Sequence, residues 1–360
     1  MSRPCTRRRL MMETVGTAMF LPTAAAAMAK LSAVLAAAPA SSESYWQKVR
    51  EQFPFREAKV SMNAANLCPS PRSVARRVME LTNDIDVDCS FNNRAKFTSL
   101  LEVSRQKVAG QLGVSADEIA LVRNTSEANN VINNGLDLLP GDEIVVWDQN
   151  HPTNNVAWDV RAARFGLNVT RVVTPVQPKS LDELVDVFTS FFTAKTRVLA
   201  VTHVSNVSGL RLPVKELCEA ARKLNIYVHV DGAQTWGVLD VNLRELGCDS
   251  YAASAHKWFA GRKEVGLLYV KEDRIDQVWP NVVAPGWGTE VEPDVRGARK
   301  FESLGQRDDT ALAAIGDAVD FHNEIGAKRI EQRFYKLIGD FKVAMKKGWI
   351  QFGHSCLART

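Results

Sequence analysis

The sequence predicts an α/β fold in which a mostly parallel β-sheet is covered by helices on both faces. Short apolar runs alternate with segments of helical periodicity between about residue 119 and residue 270. Two of these runs, at 198–203 and 226–230, are almost continuously apolar, which is typical of strands buried on both sides. Regular alternation of strands and helices favours parallel strands and indicates a sheet held between two helical layers.

Local signals place the individual elements in chain order. Pro71 opens a helix to about Leu81, and apolar residues at helical spacing predict another from Phe97 to Leu112, which Gly113 ends. Strands are predicted at 119–122, 144–147, 168–173, 198–203, 226–230 and 266–270, with a further short apolar run that ends near Ser254. Helices are predicted to begin at Thr125 and to span 154–165, 180–192, 214–224 and most of 310–346.

Length and composition indicate an ordinary globular protein with one large domain and a minor second one. The chain has 360 residues, of which 46% are hydrophobic and 24% are charged. Its formal charge of +4 is carried entirely by residues 1–40, so the remainder is balanced and gives no support for nucleic-acid binding. We expect a signal or disordered segment at 1–40, an arm at 41–60, a large domain at 61–300 and a partial small domain at 301–360 that ends early.

Residues 1–40 are typical of an export signal. The run from Thr6 to Met11 loosely matches the twin-arginine pattern, an Ala-rich apolar stretch follows at 15–29, and Ala38-Pro39-Ala40 offers a cleavage site. Lys30 interrupts the apolar region, which disfavours a transmembrane helix. We therefore expect an exported, periplasmic protein without a membrane segment in its mature form. A disordered tail, a membrane anchor and a cytoplasmic location are the alternatives.

The cysteines indicate neither a disulfide framework nor a zinc site, because the six of them are spread without CxxC pairs. Cys218 and Cys248 stand in apolar surroundings, where a buried and inert thiol is usual. The sequence therefore predicts no metal site.

Polar side chains cluster where five of the predicted strands end. The clusters are Asn124–Ser126, Asp148–His151, His203–Asn206, Asp231–Gln234 and Ser254–Lys257. Each alone has an ordinary structural explanation, such as a helix N-cap at Thr125 or a loop histidine at His151. Ligands of open α/β sheets bind outside the carboxyl ends of the strands, so the five clusters together predict one site.

The chemistry of these clusters is complementary. The helix start at Thr125 and Ser126 is suited to a phosphate group. Asp231 ends a buried strand, where a carboxylate needs a cationic partner such as a protonated pyridine nitrogen. Lys257 stands 26 residues further on, where an amine can form a Schiff base with a carbonyl cofactor. Together these residues predict a pocket for pyridoxal phosphate.

The same residues resemble the class V aminotransferase superfamily, whose members have the PLP-dependent transferase fold type I. The resemblance is carried by Val230-Asp231-Gly232-Ala233-Gln234, by Ser254-Ala255-His256-Lys257 and by the strand Gly266–Val270, and it covers roughly residues 60–335. The loop Asn150–Asn155 and the segment Leu304–Asp308 resemble the isopenicillin N epimerase-like branch. The resemblance implies a seven-stranded type of sheet, pyridoxal 5′-phosphate as cofactor and a homodimer.

It also implies roles around the cofactor ring. Lys257 would be the lysine of the internal aldimine and later the proton carrier, and Asp231 would pair with the pyridine nitrogen. Gln234 would hydrogen-bond the ring hydroxyl oxygen, and His151 would stack on the ring face. Asn206 would lie near the ring hydroxyl and the substrate carboxylate.

The phosphate is expected at the other end of the pocket. By resemblance, Thr125, Ser126, Ser254 and His256 would hold it. In the family a Gly-Thr pair of the second subunit closes this site. The corresponding pair here is Gly305-Gln306, so Gln306 would contribute across the dimer although it departs from the family pattern.

Three functions remain open from the sequence. The first is an epimerase or aminotransferase that acts on an amino acid or a peptide-borne amine. The second is a cysteine desulfurase or selenocysteine lyase, because Gly353-His354-Ser355-Cys356 resembles the loop that carries the desulfurase nucleophile. The third is a truncated, inactive relative, because the small domain ends early and lacks the family's carboxylate-binding arginine.

Overall fold

The computed structural model describes residues 32–33, 35, 42–55, 61–283 and 295–347. Most of the predicted export signal lies outside these residues, together with Cys5 and the loop that carries Cys356. Within the described part of the chain, no helix is long and apolar enough to cross a membrane.

Within the described residues, seven strands form a single sheet. Their bounds are Ile119–Val122 (β1), Glu143–Trp147 (β2), Asn168–Val172 (β3), Thr196–Thr202 (β4), Tyr227–Asp231 (β5), Ser250–Ser254 (β6) and Gly266–Val270 (β7). Their order across the sheet is β1-β7-β6-β5-β4-β2-β3. The predicted seven-stranded, mostly parallel sheet is therefore confirmed.

One strand runs against the others. β7 pairs antiparallel with both β1 and β6, whereas the remaining neighbours pair in parallel. A parallel connection requires a crossover of a dozen or more residues, usually through a helix. Residues 255–265 between β6 and β7 contain no helix, so the chain turns directly back.

The helices surround this sheet. Their bounds are Glu43–Arg50 (α1), Arg72–Val87 (α2), Phe91–Arg94 (α3), Lys96–Leu112 (α4), Thr125–Gly135 (α5), Pro152–Phe165 (α6), Leu181–Thr189 (α7), Val214–Arg222 (α8), Leu243–Leu246 (α9), Asp309–Ala313 (α10), Ile315–Ile325 (α11) and Ala327–Lys347 (α12). The helix predicted from Pro71 is thus longer than expected, and the predicted helical region at 310–346 is divided into three helices.

Both faces of the sheet are buried, as the apolar strands predict. Val145 and Leu199 belong to one core cluster, whereas their chain neighbours Val146 and Ala200 belong to a second cluster. Successive side chains of a strand point to opposite faces, so the two clusters lie on opposite sides of the sheet. Helices α4, α7 and α8 contribute to the first cluster, and α5 and α6 contribute to the second.

The two cysteines predicted to be inert are enclosed in the first of these cores. Cys218 is 2% exposed and Cys248 is fully buried. Burial raises the pKa of both thiols well above the ordinary value, so neither forms a thiolate at neutral pH.

The free edge of β1 is closed by a buried ion cluster. The guanidinium of Arg105, which is 2% exposed, donates to the carboxylate of Glu302 and to the carbonyl oxygen of Ile119. Glu302 also accepts from the backbone N–H of Leu121 at 2.6 Å. A strand edge left unpaired is prone to aggregation, and these side chains occupy its polar groups.

Replacing Glu302 by alanine is therefore expected to destabilise the fold by about 3 kcal/mol, the lower end of the range for a broken buried ion pair. The buried Arg105 would lose its two-point partner and keep only the partly exposed Glu102 as an ion-pair partner, and the N–H of Leu121 would lose its acceptor. Urea titration of the purified variant measures this change.

Asp159→Ala is the matched control, because Asp159 forms a half-exposed pair with Arg171 at 2.5 Å. That change should cost no more than about 1 kcal/mol. Equal losses in the two variants would contradict the prediction.

Candidate active site

One cavity among the described residues lies at the carboxyl ends of the parallel strands, where the sequence predicts the site. It brings together nine of the ten predicted site residues, namely Thr125, Ser126, His151, Asn206, Asp231, Gln234, Ser254, His256 and Lys257. The remaining lining residues are Asn63, Ala65, Asn66, Asn124, Thr153, Thr202 and Ala233.

Lys257 stands on a tight turn just beyond β6. The backbone N–H of Ala260 donates to the carbonyl oxygen of Lys257 at 2.9 Å, and Ala260 has φ +54°, which L-residues adopt rarely. The amine is largely enclosed, and burial lowers its pKa although the nearby Asp231 acts in the opposite direction. A larger fraction of such an amine is unprotonated at neutral pH, so it is more readily available as a nucleophile and proton acceptor than an exposed lysine.

An aromatic stack supports the Lys257 turn from behind. The ring of Phe259 lies between Trp236 and His322, at centroid distances of 3.7 and 4.3 Å. The Nε2 of His322 also bonds the carbonyl oxygen of Phe259 at 2.8 Å. Helix α11 therefore fixes the turn that presents the lysine.

Asp231 is the last residue of β5 and is 2% exposed. One carboxylate oxygen accepts from the backbone N–H of Ala233 at 3.0 Å, and the other accepts from Nδ2 of Asn129 at 2.9 Å. Gly232 follows it because a Cβ at that position would overlap the ring of Tyr251. The carboxylate thus has a fixed orientation at the floor of the cavity.

The start of α5 forms a second polar end of the cavity. The backbone N–H of Thr125 donates to Oγ of Ser254 at 2.8 Å, and the two hydroxyl oxygens lie 2.6 Å apart. The Nδ1 of His256 is buried and has no hydrogen-bond partner among the described residues. Burial lowers the pKa of His256, and the charges of Lys257 and Lys263 lower it further. A helix start next to an unpartnered ring nitrogen and the amine of Lys257 favours an anion.

His151 caps the N-terminus of α6. Its Nδ1 accepts from the backbone N–H of Thr153 at 3.3 Å and lies 2.8 Å from the Thr153 hydroxyl oxygen. The Ser126 hydroxyl lies 3.5 Å from the same oxygen, so Thr153 stands between the histidine and the α5 start. Because Nδ1 is the acceptor, the proton of a neutral His151 ring resides on Nε2.

Gln234 is held on both sides by the protein. Its Oε1 accepts from Nε1 of Trp258 at 2.6 Å, and its Nε2 donates to the carbonyl oxygen of Ala65 at 3.1 Å. The second amide hydrogen is left for a ligand. Asn206, in contrast, is exposed at the rim of the cavity.

Two residues singled out from the sequence lie elsewhere. Gln306 does not line the cavity of its own chain, and its Oε1 accepts from Arg94 at 3.0 Å. Its expected contribution across a dimer remains a prediction. His203, from the third strand-end cluster, lines a different cavity with Arg211.

Two contributions to the site were not predicted from the sequence. One is the loop that contains Asn63, Ala65 and Asn66, which gives no strand-end or helix-start signal. The other is Asn129, which touches Asp231 from the core side. Asn129 stands four residues after Thr125 on the helical side that faces the sheet, so helical spacing offered a signal for it.

Comparison with known proteins identifies the family. Residues 69–346 match the family model described as Aminotransferase class-V. Isopenicillin N epimerase of Amycolatopsis lactamdurans is 33% identical over 316 residues, which cover 84% of this chain and 79% of that protein. A probable cysteine desulfurase of Methanothermobacter thermautotrophicus is 30% identical, with 81% and 73% of the two chains covered.

Solved structures show the same architecture. The complex between the cystine C–S lyase C-DES and its reaction product, cysteine persulfide, has a TM-score of 0.73 at 26% identity and covers 78% of this chain and 76% of the other. A C-DES mutant with glycine covalently linked to the PLP cofactor has a TM-score of 0.74, again at 26% identity, and covers 79% and 76%.

The cavity fits this cofactor on the evidence of its own side chains. It offers an enclosed amine at Lys257, an oriented carboxylate at Asp231 and an orphan ring nitrogen at His256 beside a helix start. These are the groups required by an aldehyde, a pyridine nitrogen and a phosphate, respectively. The chain therefore belongs to the class V aminotransferase family, resembles its isopenicillin N epimerases and uses pyridoxal 5′-phosphate as its cofactor.

Proposed function

We propose that this protein is an epimerase- or aminotransferase-type enzyme that acts on an amino acid or a peptide-borne amine. The observation that carries the proposal is the enclosed lysine, Lys257, which shares one cavity with the oriented carboxylate of Asp231. Pyridoxal phosphate, when bound, supplies a carbonyl that condenses with amines and a ring that withdraws electrons from the neighbouring carbon.

The residues of the cavity would have different roles towards the cofactor and the substrate. Lys257 would hold the aldehyde end of the cofactor, and its Nζ would later move a proton at the substrate Cα. Asp231 would hold the proton of the pyridine nitrogen. Thr125, Ser254 and His256 would bind the phosphate. The lowered pKa of Lys257 supports this role, because a base is most effective when its pKa approaches the working pH.

The destination of the proton separates the reactions. Return of the proton to the opposite face of Cα would invert the amino acid. Its delivery to the cofactor, followed by hydrolysis of the C=N bond, would leave the amino group on the cofactor and release a keto acid. Similarity to isopenicillin N epimerase at 33% identity supports inversion as the first choice. Two of the first three curated relatives carry that name.

The proposal is tested with the cofactor-loaded chain and single L-amino acids in D₂O. Loss of the α-proton signal in the NMR spectrum, with the D-enantiomer appearing on a chiral column, supports an epimerase. Keto-acid formation supports an aminotransferase. If no amino acid or small peptide amine loses its α-proton, the proposal is wrong and the chain is an inactive relative.

A cysteine desulfurase or selenocysteine lyase is the second candidate, supported by the desulfurase relatives. It predicts that L-cysteine yields sulfide or persulfide, or that L-selenocysteine yields selenide, in a manner that depends on Cys356. Full product release by Cys356→Ala would contradict a desulfurase that uses this thiol.

The quaternary state and location belong to the same proposal. We expect a homodimer in which Gln306 reaches the phosphate end of the partner's cavity, and export through the twin-arginine signal. Light scattering of the loaded protein tests the first expectation. Cell fractionation of the wild type against Arg7→Lys/Arg8→Lys tests the second, because the paired arginines define the signal.

Thr153 offers a test of the His151 position. Thr153→Val is expected to weaken cofactor binding roughly two- to tenfold, because it removes a hydrogen bond that orients the imidazole ring of His151. Absorbance titration of the apoprotein with pyridoxal phosphate gives the dissociation constant. Thr153→Ser keeps the hydroxyl and should retain wild-type affinity. Equal weakening in both variants would contradict the prediction, because Thr153→Ser keeps the hydroxyl that bonds His151.

A further inference from the structure

A chain of three buried hydrogen bonds leads from Asp231 into the protein. Nδ2 of Asn129 donates to Asp231 Oδ2 at 2.9 Å, and Nε2 of His229 lies 2.9 Å from Oδ1 of Asn129. Nδ1 of His229 lies 2.7 Å from Oγ of Ser250. All four residues are at most 2% exposed.

The carboxylate of Asp231 determines the donor and acceptor in each of these three hydrogen bonds. An ionised carboxylate only accepts, so Asn129 must present its amide hydrogen to Asp231 and its oxygen to His229. The Nε2 of His229 must then carry the proton, and its Nδ1 must accept from the Ser250 hydroxyl. Each donor in the series therefore points towards Asp231, and bonds aligned in this way strengthen one another.

His229 takes part as a neutral ring. Complete burial lowers its pKa to about 3, so it brings no positive charge at neutral pH. A charged imidazolium two bonds away would compete with a cationic ligand for the Asp231 carboxylate. A neutral donor chain orients the carboxylate and leaves its charge available to the cavity.

We propose that Asn129 and His229 are positioning residues that fix the Asp231 carboxylate, through a one-way donor chain from Ser250, as the acceptor for a cation in the cavity. Neither residue lines the cavity, so each acts only through Asp231. The proposal rests on the role of Asp231 given under the proposed function. It does not depend on whether the enzyme is an epimerase or a desulfurase.

The experiment compares five variants of the full-length protein, one of which, Asp231→Asn, removes the acceptor itself. Asn129→Leu and His229→Leu interrupt the series of hydrogen bonds. His229→Gln keeps an amide donor at the position of Nε2. Asn133→Leu is the matched control, because Asn133 is a buried amide one turn further along α5 that bonds Asn154 instead of Asp231. The readouts are the dissociation constant of pyridoxal phosphate, the visible absorbance of the bound cofactor and the ¹⁵N spectrum of the apoprotein histidines.

We expect Asn129→Leu and His229→Leu to weaken cofactor binding roughly 10- to 100-fold and to shift the absorbance band, in line with other partners that orient a ligand-binding side chain. His229→Gln should recover most of the affinity, and Asn133→Leu should keep the wild-type value and band. The ¹⁵N spectrum should show His229 as a neutral ring with its proton on Nε2.

The opposite outcomes overturn the inference. A His229 ring protonated on Nδ1 contradicts the donor direction, and wild-type affinity in both leucine variants contradicts the positioning role. Equally weakened cofactor binding in His229→Gln and His229→Leu would also contradict the positioning role. If Asp231→Asn also leaves the affinity and the absorbance band unchanged, the role assigned to Asp231 is wrong. This result distinguishes failure of the proposed function from failure of the positioning role of Asn129 and His229.

Discussion

Replacing Lys257 by methionine is expected to abolish turnover and covalent attachment of the cofactor while the protein still folds. The amine is the group that moves the proton in the proposed reaction, and loss of a general acid–base alone typically costs about 10²–10⁴-fold in rate. Loss of the covalent link adds to this. Single-turnover assays and mass spectrometry after borohydride reduction measure the two effects. In the wild type, the added mass should map to the peptide that contains Lys257.

Lys263→Met is the matched control for this experiment. Lys263 is an exposed lysine on the same connection between β6 and β7, and it does not line the cavity. It should keep both labelling and activity. Labelling of Lys257→Met at the wild-type level would show that another amine holds the cofactor.

Lys257→Met should also change the thermal stability of the apoprotein, in a direction that depends on pH. Burial lowers the pKa of Lys257, so the folded state binds the proton less tightly than the unfolded state. This destabilisation is fully present below the folded pKa and disappears as the pH rises through the unfolded value of 10.5. Lys257→Met should therefore melt at a higher temperature than the wild type at neutral pH, and the gap should shrink at alkaline pH. A constant gap across this range would contradict the prediction.

The sequence was most informative where a residue's chemistry and its place in the chain coincide. Asp231 ends one apolar strand and Lys257 lies three residues after another, so an acidic and a basic side chain stand at two strand ends. The sheet joins these strand ends at one edge, so their proximity follows from the alternating pattern alone. The direction of β7 could also have been deduced, because 11 residues are too few for a crossover helix.

The remaining parts of the site depend on contacts between distant segments. Asn63 and Asn66 reach the cavity because their loop is tied to the turn of Lys257. The backbone N–H of Cys68 donates to the carbonyl oxygen of His256 at 2.8 Å, and Gln234 binds Ala65. Nothing in the local sequence of that loop encodes these bonds. The donor chain behind Asp231 likewise requires the register of β5 on β6, which places His229 opposite Ser250.

Replacing Asp231 by asparagine is expected to lower turnover by about 10²–10³-fold, comparable with the loss of a preorganised group that stabilises charge in other enzymes. The pyridine nitrogen would lose its anionic partner, so the cofactor ring would withdraw electrons less effectively. The measurement is kcat with saturating cofactor, together with the absorbance of the bound cofactor. Unchanged kcat would contradict the role assigned to Asp231.

The same variant should also reverse the hydrogen bonds behind it. The backbone N–H of Ala233 can only donate, so the side-chain oxygen of Asn at position 231 must face it. The NH₂ group of that side chain must then face Asn129. Asn129 then has to present its oxygen to that amide and its own amide to His229. The proton of His229 would move from Nε2 to Nδ1, where it can donate to Ser250. The ¹⁵N spectrum of the apoprotein detects this change without any turnover, and a ring still protonated on Nε2 would show that Asp231 does not set the direction of the chain.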